Sequence, residues 1–229
     1  MAEKRLVWDL PTRLFHWMLV ASMVASYLTA DAGSPSMKWH MVLGYWTLGL
    51  VIFRILWGFF GPRHARFSAF FKPGRVGDYL ATLLRRDSTP TVGHNPLGGL
   101  AVIVMLMMVA IQAVSGLFIT DDIVWSGPWN PAVSSETADR LATVHHLNFD
   151  ILLWVIGLHV LTVLFYAFYK RQDLVGPMFT GYKKSAIVPE NQSINGSQLA
   201  KALVIAVLSA AVVYALLAFA PPPVIEDYY

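Results

Sequence analysis

Residues 141–169 read LATVHHLNFDILLWVIGLHVLTVLFYAFY, an apolar run longer than the about 20 helical residues that cross a bilayer core of ~30 Å. It holds three of the chain's seven histidines, His145, His146 and His159. Ionisable side chains inside a span are costly and point to function by default. At 100° per residue, the step from His145 to His159 leaves a net rotation of about −40°, while the step from His146 leaves about −140°. His145 and His159 therefore share a helix face, separated by about 21 Å of rise. His146 looks away from it.

The rest of the chain repeats the apolar theme. It is 56% hydrophobic and only 14% charged, with a mean hydropathy of +0.53, where a soluble domain carries about 25% charged residues. Four further runs are long enough to span: Leu14–Thr29, Trp39–Phe60, Leu97–Thr120 and Leu199–Ala220. In lipid every backbone group must be paired within the segment, so these runs are read as helices, and no alternating pattern of a membrane barrel is present. The first run, followed by Ala30-Asp31-Ala32, has the outline of a cleaved signal segment. Its length and its histidine favour a retained span.

Charge orients the bundle. Residues 61–96 carry Arg63, Arg66, Lys72, Arg75, Arg85 and Arg86, residues 170–201 carry five more cations, and the amino terminus adds Lys4, Arg5 and Arg13. The opposite loops are acidic, with Asp31, Asp121, Asp122, Glu136 and Asp139, and Glu226 and Asp227 follow the last run. Basic loops stay in the cytoplasm, so the expected topology has the amino terminus inside and the carboxyl terminus outside. The expected fold is an all-α integral membrane protein. Residues 1–182 form a four-helix bundle, the polar stretch 183–198 is a flexible cytoplasmic linker, and 199–229 form a fifth span with a Pro-rich periplasmic tail.

Histidine depth then suggests chemistry. His16 opens the first run and His159 lies in the cytoplasmic half of the fourth, while His40 opens the second run near His145 at the periplasmic side. Two facing pairs result, one in each membrane half. A b haem is a flat apolar disc whose iron takes two axial nitrogens from opposite sides, and facing helices of a bundle supply them. The absence of cysteine excludes thiolate-bound clusters and covalent haem attachment. Two non-covalent b haems are therefore expected, on His16 with His159 and on His40 with His145. Gly44 and Gly157 leave room beside two of the ligands. Arg13 and Arg54 on one side, and Lys38 and Arg140 on the other, are candidates for the propionates, with snorkelling to headgroups as the plainer use. His146 is a candidate neighbour of the periplasmic haem. His94 and Gln112 are candidates for a quinone site, against a loop contact and a helix–helix hydrogen bond.

Three motifs carry a family resemblance. Val7-Trp8-Asp9-Leu10-Pro11-Thr12-Arg13-Leu14-Phe15-His16-Trp17, Arg54-Ile55-Leu56-Trp57-Gly58 and Gly93-His94-Asn95-Pro96-Leu97-Gly98-Gly99 resemble bacterial di-haem cytochromes b, the cytochrome b561 group that includes b-type subunits of nickel–iron hydrogenases. The resemblance covers about residues 5–182. It implies haem ligands from helices one, two and four at His16, His40, His145 and His159, in the same pairing. The fifth helix and the doubled His145-His146 depart from the simplest members.

The expectation is transmembrane electron transfer between the quinone pool and a periplasmic redox partner, such as a c-type cytochrome, with membrane lipid around the helices. The nearest alternative is the membrane anchor of a hydrogenase or similar dehydrogenase. Oligomers are compatible with either, and nucleic acid is not an expected partner. A histidine-based metal transporter and a purely structural anchor are the rivals from other classes. The first wants carboxylates beside its histidines, and the second needs no matched histidines.

Overall fold

The computed structural model describes residues 3–30, 34–86, 90–121 and 123–222. Asp31, Asp122, Glu226 and Asp227 lie outside the described residues, as do Ala32 and the end of the Pro-rich tail. Long helices dominate: α1 (Leu10–Ala30), α2 (Ser34–Phe60), α5 (Pro96–Ser115), α6 (Ser135–Phe168) and α8 (Leu199–Ala218). Short helices α3 (Phe67–Phe70), α4 (Val76–Thr82) and α7 (Val175–Thr180) lie in the two basic connections.

Local chemistry sets the boundaries. Asp9 caps α1 by accepting from the Thr12 amide at 2.9 Å, the favoured role of a short acidic side chain at a helix start. Asn95 does the same for α5, accepting from the Gly98 amide, with Pro96 as the first helical residue. Ser134 caps α6 through the Thr137 amide, so this helix begins before the apolar run and projects beyond the span. α5 stops earlier than its hydropathy suggests. Past Gly116 the chain turns back on itself, with the Gly127 amide bonded to Ile119 O and the Trp129 amide to Leu117 O.

Four of the described helices, α2, α5, α6 and α8, are long and apolar enough to cross a membrane. α1 has the length but is not among them, so of the five expected spans these four meet that mark. α1 packs on α2, α6 on α5 and α8 on α2, and the two halves join where α2 meets α5. Phe15, Leu50, Val51, Leu106, Val109 and Leu152 form the shared core. Large apolar side chains point outward, among them Trp154, 82% exposed. In water such a surface invites aggregation. Against lipid it is at home.

The basic end is closed by a cap that sequence reading took for a loose linker. Strand β1 (Lys4–Leu6) pairs antiparallel with β2 (Tyr182–Lys184), Arg5 opposite Lys183. Val7, Trp8 and Val188 form a small buried cluster against Val92, Met178 and Ile187. Gly181, at φ +88, turns the chain from α7 into β2, where a Cβ would meet Trp8 O at 2.7 Å. The Leu10 amide bonds Ser197 Oγ at 2.9 Å, and Arg63 Nη1 bonds Asn191 O at 2.7 Å. Residues 183–198 are thus held because Ile187 and Val188 bury apolar surface and the polar residues around them satisfy main-chain groups elsewhere.

Candidate functional site

α1 and α2 run antiparallel, as do α5 and α6, so histidines near alternate helix ends meet in two places. At the end of the bundle away from the basic connections His40 faces His145, with ring centroids 6.4 Å apart. His40 Nδ1 lies 2.9 Å from Ser26 O, and a carbonyl only accepts, so Nδ1 carries the proton. His145 Nδ1 lies 3.1 Å from Ser115 Oγ. That hydroxyl spends its own hydrogen on Ile111 O at 2.7 Å and so accepts from the imidazole. Both rings are held in the tautomer that leaves Nε2 with a free lone pair. Two metal–imidazole bonds of about 2 Å each, taken end to end, need ring centroids roughly 6 Å apart. The observed spacing fits.

At the basic end His16 and His159 are near enough to interact electrostatically. His16 Nδ1 is enclosed and has no partner, so this pair is less completely braced. Between the halves there is space for a planar group. α6 packs closely on α5 but not on α1 or α2, and a Cβ at Gly44 or Gly157 would meet nothing within 4 Å. At Gly58 and Gly99, by contrast, a Cβ would strike Phe67 at 2.2 Å and Phe70 O at 2.5 Å. Gly44 and Gly157 thus face an opening, whereas Gly58 and Gly99 seat neighbours, and Gly116 seats the His145 ring, whose Cε1 a Cβ would meet at 3.2 Å.

A profile of the prokaryotic cytochrome b561 family matches residues 7–181, a span that contains both histidine pairs. The chain belongs to the prokaryotic cytochrome b561 family. It is similar to a probable Ni/Fe-hydrogenase B-type cytochrome subunit of Rhizobium leguminosarum bv. viciae, 24% identical over 209 residues, covering 76% of this chain and 87% of the relative. A protein of the same description from Azotobacter vinelandii is 26% identical over 210 residues, covering 77% and 87%. No solved structure matches the chain significantly. Membership and the apolar helices make this a multi-pass membrane cytochrome of electron transport that binds haem b.

The remaining candidate residues of this cytochrome b561 chain fall into distinct settings. His146 is exposed, its ring centroid 5.9 Å from that of His145. Arg13, one turn before His16, donates from Nη1 to Phe179 O, and its Nε is enclosed without a partner. Arg54 is buried between the rings of Phe67 and Phe70, at 5.1 and 5.8 Å from their centroids, and its Nη1 is unpartnered. Lys38 is exposed. Arg140 pairs with Glu136 at 2.6 Å on the open surface of α6, where such pairs contribute little. Gln112 accepts from Asn148 Nδ2 at 2.7 Å and so ties α5 to α6. His94 lies at the other end of α5, about 25 Å of helix away, so the two quinone candidates do not form one site. Asp150, the carboxylate within the fourth run, is exposed on α6. Among the described residues no three His, Asp or Glu side chains gather as a metal-chelating group.

Sequence reading misses one support: Ser26 acts through its carbonyl, which no residue type advertises. Ser115, like Gln112, is an uncharged polar group in an apolar run, read as a helix–helix hydrogen bond, and it makes one to His145. A cluster at the basic end was also hidden: His94 is held between Trp8 and Phe70, with centroids at 4.7 and 4.6 Å. His64 Nε2 donates to Gln192 O at 2.8 Å.

Two predictions arise here. Gly44→Leu is expected to displace a haem seated between His40 and His145 while leaving the helices folded, because its side chain enters space no protein atom occupies. Haem stoichiometry beside helical circular dichroism checks it, and unchanged haem content would refute it. Burial pushes the His94 pKa down to about 3, with Arg54, Lys183 and His64 adding repulsion. A histidine depressed from 6.5 in the folded state keeps its full stability above 6.5 and loses it as pH falls toward 3. The thermal midpoint in detergent should therefore drop over that window, and His94→Phe should flatten the drop. An identical pH profile in the variant would count against it.

Proposed function

We propose that this cytochrome holds two b haems, one between His16 and His159 and one between His40 and His145, and carries electrons across the inner membrane between the quinone pool and a periplasmic redox partner. The facing pair His40–His145, with both Nδ1 atoms engaged and both Nε2 atoms free, is the observation that supports it most directly. Haem iron supplies one-electron redox chemistry when bound, and its potential follows from axial ligands and burial. The protein's part is to fix the imidazole orientation through Ser26 and Ser115, to keep water out with Phe15, Leu106 and Leu152, and to space the two sites by about 21 Å along α6. In this reading α1 is the remaining span, the amino terminus is cytoplasmic and the carboxyl terminus periplasmic. Residues 1–182 form the haem-binding unit, 183–198 its cytoplasmic connection and 199–229 the appended helix and tail. Arg13 and Arg54 are the basic-end candidates for the propionates. His94 offers its less enclosed Nε2 to a quinone oxygen at the same end.

A dithionite-reduced minus oxidised spectrum with a pyridine haemochrome assay tests the proposal. Two b haems per chain, reduced by added quinol, are expected. One haem, or none, would overturn the count and the wire built on it. A second reading is favoured by the relatives' own descriptions: the cytochrome is the membrane subunit of a Ni/Fe-hydrogenase or a similar periplasmic dehydrogenase. Affinity purification from the native membrane separates the two. Recovery with a large metalloenzyme supports the subunit, while a lone chain that reduces a soluble c-type cytochrome supports the free-standing form.

A further inference from the structure

α8 docks along α2 through Ala202 and Ile205 against Trp57 and Ala65, and the contact leaves a groove on its outer side. This groove, about 280 Å³, is lined by Leu56, Phe60, Ile205 and Leu208, with Lys201 at its mouth. It runs into a cleft of about 700 Å³ lined by Arg63, Arg66, Lys201 and residues 193–196, and Phe60 and Lys201 border both. Among the described residues no acidic side chain lines either. Lys201 spends one hydrogen on Phe60 O at 3.2 Å, and Arg63 spends Nη1 on Asn191 O. Each keeps further donors. The first turn of α8 begins at Gln198, whose side chain does not cap it, so the helix adds its positive end to the same cleft.

An apolar slot opening beneath three cations with no counter-charge matches one kind of occupant: an amphiphile with an anionic head and a hydrocarbon chain. We propose that the α2–α8 groove binds an anionic phospholipid of the leaflet at the basic end. Its phosphate sits among Arg63, Arg66 and Lys201, and an acyl chain lies along Leu56, Phe60, Ile205 and Leu208. A zwitterionic lipid brings a cationic group into an already cationic cleft and is disfavoured. A quinone head is neutral and makes no use of the three charges. The appended helix thereby acquires a role, since α8 supplies Lys201 and one wall of the slot.

Native mass spectrometry of the purified cytochrome with phosphatidylglycerol and phosphatidylcholine of matched chains tests this. The wild type should retain one phosphatidylglycerol under conditions that strip phosphatidylcholine. Replacing all three cations (Arg63→Gln, Arg66→Gln, Lys201→Gln) should weaken that binding on the order of a hundredfold, from the attraction each surface cation contributes. Leu208→Trp fills the slot at an exposed position and should weaken it with every charge intact. Helical circular dichroism should be unchanged in both variants. Equal retention of the two lipids, or a triple variant that binds like the wild type, would overturn the proposal. Displacement by inorganic phosphate alone would overturn it in favour of a simple anion site. A dimer that excludes lipid would overturn it in favour of a second copy.

Discussion

His145→Ala is expected to leave the cytochrome with one haem per chain, and His146→Ala to leave it with two. The adjacent histidines differ by a turn of about 100° around α6. That rotation puts one ring opposite His40, with its Nδ1 on Ser115 Oγ, and leaves the other exposed. Loss of an axial nitrogen removes one of the two bonds that would hold a non-covalent haem there, so the effect on the proposed His40–His145 site is complete or nearly so. His40→Ala should match it. Ser115→Ala keeps the ligand but removes its acceptor, and outer partners of this kind are worth about 10–100-fold in metal affinity or activity. It should therefore lower occupancy or shift the haem's potential rather than abolish the site. Haemochrome stoichiometry on the four variants reads this directly. If His146→Ala alone lost a haem, the face assignment along α6 would be wrong and both pairs would have to be redrawn.

The helical class was legible because membranes make few demands and enforce them strictly. Apolar length sets a span, and a 3.6-residue period sets which of the adjacent histidines of α6 looks toward His40. α1 shows the limit of that rule. Its polar residues, which lower its hydropathy, are the ones with partners, His16 within electrostatic reach of His159 and Arg13 on Phe179 O. Less legible were contacts made through main-chain atoms. The acceptor for His40 is the carbonyl of Ser26, and any residue there would provide one. Residues 183–198 misled for a related reason. Their polar composition matches that of a linker, but Arg63 and His64 bond their carbonyls at Asn191 and Gln192, and two apolar residues suffice to anchor them. Gln112 was read two ways, and its bond to Asn148 favours the helix–helix use.

The two opening motifs of the chain meet at one point, and the second large effect is expected there. Trp57 is fully buried. Its Nε1 donates to Asp9 Oδ1 at 3.0 Å and lies 3.2 Å from Thr12 Oγ1, while Thr12 donates its amide and hydroxyl to the same carboxylate. Phe53 stacks on the indole at 5.8 Å, and Ala202 and Ile205 of α8 pack beside it. One side chain thus joins the start of α1, the end of α2 and the appended helix. Trp57→Ala removes a core aromatic, at about 3–5 kcal/mol, and withdraws a donor from a buried carboxylate, at about 1–3 kcal/mol more. At roughly 2–4 °C per kcal/mol for a chain of this size, the thermal midpoint should fall by about 10 °C or more. Trp57→Phe keeps most of the packing and loses only the hydrogen bond, so its fall should be a fraction of that. Haem loss orders the consequences further. His16 sits two turns beyond Asp9 on α1, so the proposed basic-end haem should loosen before the one proposed at His40 and His145, which Ser26 and Ser115 brace at the far end of the bundle. Equal loss of both haems in Trp57→Ala would mean the bundle unfolds as one unit, and an unchanged midpoint would mean that Asp9 and Trp57 do not tie it together.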